Sequence, residues 1–230
     1  AVRKNKSFLI TTHTSPEGDA LGSELAMLFL LRSLKKKVAI VNQDAVPYEY
    51  SFLPNIEEVK IFNKKINLAD FDCLLIVDCS DLKRCGQLLS SSVSGLPIIN
   101  IDHHISNEIF GDVNWVDPKA SACCELVYKL FKELKVPINK DIATFLYVGI
   151  MTDTGSFRYS NTTSYTHKVA SDLVGRGLDI PFIFKKIYGS IPVNDALFLT
   201  KVFPTMKLEC RGRLAWFQIN RKDLKIQNTA

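Results

Sequence analysis

Four polar clusters, each set directly behind an apolar segment, constrain this chain more than any other feature. They are His13-Thr14-Ser15-Pro16-Glu17-Gly18-Asp19, Val77-Asp78-Cys79-Ser80-Asp81, Asn100-Ile101-Asp102-His103-His104 and Met151-Thr152-Asp153-Thr154-Gly155. A short apolar run bounded by turn formers reads as a buried strand. On that pattern residues 7–12, 71–77 and 96–101 are strands, each delivering a cluster at its carboxyl end. The fourth cluster closes a helix over residues 140–151. A chain laid out this way must bring several element ends to one place.

Residues 38–42 and 59–62 supply two further strands. Residues 22–34 supply a helix, with Leu25, Leu28, Leu31 and Leu34 at helical spacing. A short helix is expected over 82–92 with Asp81 as its N-cap, and Pro97 starts its strand, where proline is tolerated. Apolar strands alternating with helices predict an α/β fold, a mainly parallel sheet flanked by helices. From residue 117 the pattern turns helical, over 120–134, 140–151, 164–175, 180–188 and 193–203. Residues 205–209 and 214–219 read as a β-hairpin around Cys210-Arg211-Gly212-Arg213. The expected organisation is a domain over 1–190 and a linker helix over 191–203. The start of a second small α/β domain follows over 204–230, which the chain does not complete.

Hydrophobic residues make up 47% of the 230, ample for a core. The net charge of +5 falls short of the clustered excess of a dedicated nucleic-acid binder and only weakly favours an anionic substrate. Cysteines at 73, 79, 85, 123, 124 and 210 form no CxxC pair, so zinc-finger spacing is excluded. They read as reduced thiols of a cytoplasmic protein. No apolar run reaches the ~18 residues of a membrane span. The basic start Ala1-Val2-Arg3-Lys4-Asn5-Lys6 lacks the pattern of a signal peptide, and no membrane association is expected.

Open α/β sheets bind ligands beyond the carboxyl ends of their strands. That edge would gather His13, Glu17, Asp19, Asp78, Asp102, His103, His104 and Asp153. Its five carboxylates would raise each other's pKa values unless a cation neutralised them. Carboxylate and imidazole donors without thiolate favour Mn²⁺, Mg²⁺, Fe²⁺ or Zn²⁺. Eight donors exceed the needs of one ion, and paired ions about 3.5–4 Å apart typify phosphoester hydrolysis. Pro16 and Gly18 force a turn that lets residues 13, 17 and 19 point inward from one loop. The helix opened by Ala20-Leu21-Gly22-Ser23 offers N–H groups to an anion.

Each residue also has a bland reading. An aspartate after a strand is often a turn former or cap, and Asp153 could cap its own Thr154-Gly155 turn. A His-His pair in a loop is commonly surface decoration, His167 lies on an amphipathic helix, and Cys79 and Cys85 read as packing. The joint occurrence of all four clusters carries the metal reading.

Taken together, the clusters resemble the four motifs of the DHH phosphoesterases, over residues 5–203. The stretch from His13 to Ser23 is similar to the nanoRNase form of the first motif, and Gly149 to Thr162 resembles the fourth. The resemblance implies a RecJ-like catalytic domain in which two Mn²⁺ ions, or Mg²⁺ or another divalent cation, activate a water. It places one ion on His13, Glu17 and Asp78, and the other on Asp19, Asp78, His103 and Asp153. Asp102 would orient a histidine, and His104 would face the substrate phosphate; these two are the catalytic candidates. Ser23 and Arg158 are candidates for substrate contact, with a surface or packing role as the alternative for Arg158.

Two departures from the family pattern stand out. Most members carry aspartate where this chain has Glu17. The family also ends in a smaller domain, DHHA1, whose Gly-Gly-Gly-His segment grips the nucleotide. Here only its opening hairpin is expected, and after Gly189 there is one glycine, Gly212, and no histidine. Either the chain is truncated or the protein lacks that half of its substrate site. The expected function is hydrolysis of short oligoribonucleotides, of 3′-phosphoadenosine 5′-phosphate, or of both. The alternatives are an inorganic pyrophosphatase, a cyclic dinucleotide phosphodiesterase and a non-catalytic nucleotide-binding protein. The implied partner is a short RNA or nucleotide phosphate, and a homodimer is compatible with this reading.

Overall fold

The chain is seen in a computed structural model that describes residues 2–63, 70–90, 95–189 and 191–220. Strands β1 (Ser7–Thr11), β2 (Lys37–Asn42), β3 (Val59–Ile61), β4 (Cys73–Val77), β5 (Ile98–Asp102) and β6 (Val113–Val116) form one sheet. Their order is β3-β2-β1-β4-β5-β6, and every neighbouring pair is parallel. The expected α/β sheet is therefore present. All five residues of β4 are buried, as both faces of a parallel sheet must be covered.

Helix α1 (Gly18–Ser33) covers one face, touching β1, β2 and β4, and is itself covered by α3 (Cys123–Glu133) and α4 (Lys140–Asp153). It is apolar nearly all round and buried nearly all round, the composition such a sandwiched helix requires. Its crossing with α4 is close because of two glycines. A Cβ on Gly22 would collide with the Phe145 carbonyl of α4, and one on Gly149 with Asp19 of α1 as well as with Cys124 Sγ of α3. On the opposite side Leu9, Leu74 and Ile76 pack with Cys79, Cys85 and Leu88, the last on α2 (Gln87–Ser90). Helix α5 (Ser164–Val174) packs on α4 and starts with a capping box between Thr163 and Thr166.

Two expectations are corrected and one strand is added. Helix α1 begins at Gly18, not at residue 22, so Asp19 lies in its first turn. Helical first turns accept acidic residues, and the polar start concealed the boundary. The helix expected over 82–92 is broken. Asp81 caps a 3₁₀ turn at Leu82–Cys85 by accepting from Lys83 N (2.8 Å), and Gly86 at φ 71 separates that turn from α2. Residues 91 and 92 of the expected helix lie outside the described residues. Strand β6 was not foreseen, because an edge strand with only partly buried residues carries no apolar run.

Contacts divide the chain into Ala1–Ile183 and Phe184–Ala230, a boundary inside α6 (Ile180–Tyr188). The second unit holds α7 (Val193–Val202) and an antiparallel hairpin of β7 (Lys207–Glu209) and β8 (Leu214–Trp216). Its turn uses left-handed Cys210, Arg211 and Gly212, and Trp216 Nε1 donates to Glu209 Oε1 at 3.1 Å. No helix among the described residues is long and apolar enough to cross a membrane.

Candidate metal centre

The strand order reverses between β1 and β4, and ligands bind at such a reversal beyond the carboxyl ends. His13 follows β1 and Asp78 follows β4, so the two residues flank the reversal. Asp78 is buried and adopts φ 52, a left-handed conformation that an aspartate holds only where its surroundings enforce it. His13 Nδ1 contacts the Thr14 carbonyl at 2.7 Å, leaving Nε2 3.8 Å from Asp78 Oδ2. On the other side His103 Nε2 lies 3.5 Å from Asp78 Oδ1, 3.7 Å from Asp19 Oδ2 and 3.6 Å from Asp153 Oδ2. Three groups each bring their donor atoms within 4.8 Å of one another. They are His13, Glu17 and Asp78; Asp19, His103 and Asp153; and Asp78, Asp102, His103 and His104.

Asp19, Asp153 and Asp102 are held from behind. The Asp19 carboxylate accepts from Cys123 N (2.5 Å) and Cys124 N (2.8 Å), at the positive N-terminus of α3. Asp153 ends α4, and Asn161 donates to its carbonyl at 3.1 Å. Asp102 Oδ1 accepts from His103 N (2.8 Å) and His104 Nδ1 (2.7 Å), while its Oδ2 accepts from Asn107 Nδ2 (2.6 Å). The backbone amides at 123 and 124, and the side chains of Asn107 and Asn161, were missed by sequence reasoning. The one signal was their closeness in sequence to a cluster or to a helix start.

The electrostatics are those of crowded, buried charge. Burial alone would raise the Asp78 carboxyl, but the imidazoles of His103 and His13 hold it below the usual range. Burial pushes the Asp19 carboxyl well up, helped by Asp78. Burial likewise raises Asp153, to about 6. Burial would lower His13 and His103, yet Asp78 beside them carries His13 to about 9 and His103 to about 10. Contact with Asp102 raises His104.

Both oxygens of Asp78, and Nε2 of His103, are buried without a hydrogen-bond partner. Buried polar atoms are nearly always satisfied, so this concentration of open donors fits divalent cations. All the donors are oxygen and nitrogen. The nearby thiols Cys79 and Cys85 face each other at 3.5 Å on the core side, and all six cysteines are free. Glu17 is exposed at the rim of the His13 group. Two candidates stand apart. Ser23 is fully buried with Oγ 3.3 Å from Cys124 Sγ, so its hydroxyl serves the contact between α1 and α3. Arg158 is exposed and folds back so that Nε donates to the Gly155 carbonyl at 2.7 Å. His167 stacks on Phe157 and belongs to none of the three groups.

Residues 7–150 match the model of the DHH family, N-terminal domain. The bifunctional oligoribonuclease and PAP phosphatase NrnA of Thermus thermophilus is 37% identical over 171 residues, covering 74% of this chain and 50% of the relative. The protein of the same name from Bacillus subtilis is 29% identical over 185 residues, covering 79% and 57%. The chain thus spans about half the length of these curated relatives. An exopolyphosphatase-related protein of known structure from Bacteroides fragilis superposes with a TM-score of 0.86 at 26% identity, over 98% of this chain and 69% of that one. A putative family II inorganic pyrophosphatase from Methanococcus jannaschii shares the fold, with a TM-score of 0.60 at 16% identity over 78% and 60%. With the family match running from β1 into α4 and taking in three of the four clusters, the chain belongs to the DHH family.

Proposed function

We propose that this chain hydrolyses phosphoesters with the help of two divalent cations, Mn²⁺ foremost. Its substrates on this reading are short oligoribonucleotides and 3′-phosphoadenosine 5′-phosphate. The observation that carries the reading is the Asp78 carboxylate, buried, unpartnered on both oxygens, and faced by His13 on one side and His103 on the other. Such a carboxylate fits a ligand shared by two ions. His13, Glu17 and Asp78 would hold one, and Asp19, Asp78, His103 and Asp153 the other. When bound, the ions supply a water of lowered pKa and offset the charge of the phosphate.

The remaining work falls to the chain's own side chains. The N–H groups of Cys123 and Cys124 fix the Asp19 carboxylate, so that site needs little rearrangement. Asp102 holds His104 through Nδ1, leaving Nε2 as the ring atom available to a phosphoryl oxygen. With its pKa raised by Asp102, that imidazole carries positive charge more readily and can donate to the oxygen as negative charge develops there. The substrate class is supported by the Thermus thermophilus and Bacillus subtilis relatives, each named as an oligoribonuclease and PAP phosphatase.

The test is hydrolysis of a dinucleotide and of 3′-phosphoadenosine 5′-phosphate in Mn²⁺, with Asp78→Asn and His103→Ala as controls. Turnover that both substitutions abolish is expected. No turnover, or turnover indifferent to both, would sink the proposal. Phosphate release from pyrophosphate alone would favour a pyrophosphatase.

A further inference from the structure

We propose that Asn107 is a positioning residue that acts through Asp102 on His104. Its activity arm rests on the phosphoesterase reading above. Its geometric basis does not.

Asp102 is fully buried, and its carboxylate plane is fixed from both ends. One end, Oδ1, is held by His103 N and His104 Nδ1; the other, Oδ2, takes the 2.6 Å bond from Asn107 Nδ2. The orientation of the Asn107 amide is itself determined. Its Oδ1 accepts from Ile109 N at 2.7 Å, and Ile109 adopts φ 52 to present that N–H. Flipping the amide would turn its oxygen toward the Asp102 carboxylate and toward Asn100 Oδ1, which lies 2.8 Å from Nδ2. The NH₂ group therefore faces Asp102.

The same amide reaches further. Asn107 Nδ2 lies 3.3 Å from the Cys79 carbonyl, and Asn100 Nδ2 donates to that carbonyl at 3.2 Å. Cys79 directly follows Asp78. Asn107 thus closes a bridge between the end of β4, which carries Asp78, and the end of β5, which carries the histidines. The consequence lies in the ring of His104. A carboxylate with a fixed plane holds the Nδ1–H and aims Nε2 outward: in the protonated ring Nε2–H is the donor, and in the neutral ring the proton stays on Nδ1. Without the Asn107 bond the carboxylate can rotate, and His104 loses both its tautomer and its direction.

Two readouts test the inference in the full chain. In Mn²⁺ with 3′-phosphoadenosine 5′-phosphate, Asn107→Ala should lower kcat by about 10–100-fold with KM nearly unchanged. In a His104→Ala background the same substitution should add little further loss, because both act on one group. In imidazole ¹⁵N spectra of the metal-free protein, taken where His104 is neutral, the unsubstituted chain should show the Nδ1–H form and Asn107→Ala a tautomer mixture. If Asn107→Ala is too unstable to assay, Asn107→Ser gives the same comparison with a smaller perturbation. Full activity in Asn107→Ala, losses that multiply independently of His104, or an unchanged tautomer would each overturn the proposal. An unsubstituted chain without turnover would sink the phosphoesterase reading and leave the spectra to decide this one.

Discussion

His103 Nε2 faces Asp78 Oδ1 across 3.5 Å, and neither atom has a hydrogen-bond partner. Direct hydrogen bonds between such groups run nearer 2.7–3.0 Å, about the His104 to Asp102 contact at 2.7 Å in this same site. The wider gap, shared with Asp19 and Asp153, has the dimensions of a cation seat.

The first prediction concerns binding without catalysis. Mn²⁺ at about 100 times its Kd should add about 2.7 kcal/mol to stability. In a chain of this size that raises Tm by roughly 5–10 °C. Asp78→Asn should abolish the shift. Identical melting curves in Mn²⁺ and in EDTA would refute the assembled site.

A second prediction concerns pH. His13 and His103 are raised to about 9 and about 10, and Asp153 to about 6. A group whose folded pKa lies above its unfolded value stabilises the fold below the unfolded value, and that stability is lost as pH rises through the folded one. The metal-free chain should therefore lose Tm between pH 6.5, the ordinary histidine value, and about pH 10, with Asp153 adding its own loss between 3.8 and about 6. Cation affinity should rise over the same window, because the ligands must shed protons to bind. Calorimetry with and without EDTA across that range checks both; a metal-free Tm that is flat or rising contradicts the scheme.

A third prediction concerns packing beneath the site. A Cβ at Gly149 would strike Cys124 Sγ and lie 2.8 Å from Asp19 Oδ1. Gly149→Ala should cost about 1–3 kcal/mol by overpacking and weaken cation binding by displacing Asp19. At Gly175, where φ is −59 and the nearest atoms are 3.4 and 3.5 Å away, alanine should be nearly neutral. Urea unfolding of the two variants separates the cases.

A fourth prediction isolates Glu17. It is exposed, so Glu17→Ala should leave metal-free stability within about 0.5 kcal/mol. It should nevertheless lower the Mn²⁺ stoichiometry or affinity measured by calorimetric titration, and Glu17→Asp should restore it. A variant that loses stability but not cation binding would remove Glu17 from the site.

The parts of this molecule that were legible in the sequence share a physical cause. The strands ending near Thr11, Val77 and Asp102 are buried on both faces, so each had to be a nearly continuous apolar run, Asn100 being the polar exception. The polar clusters had to follow where those runs stop. Strand β6 was illegible because an edge strand is only half covered. The start of α1 at Gly18 was hidden because its first turn serves the site instead of the core. The grip on Asp19 comes from backbone N–H groups, and backbone donors leave no mark on residue identity. Asn107 was within sight, three residues past His104, but its value appears only once Asp102 is seen to need a partner for Oδ2.

Anomalous diffraction at the manganese edge, from crystals grown with Mn²⁺, tests the central claim most directly. Two peaks should flank the Asp78 carboxylate, one beside His13 and Glu17 and one beside Asp19, His103 and Asp153. No peak there, or a single ion that does not touch Asp78, would contradict the account.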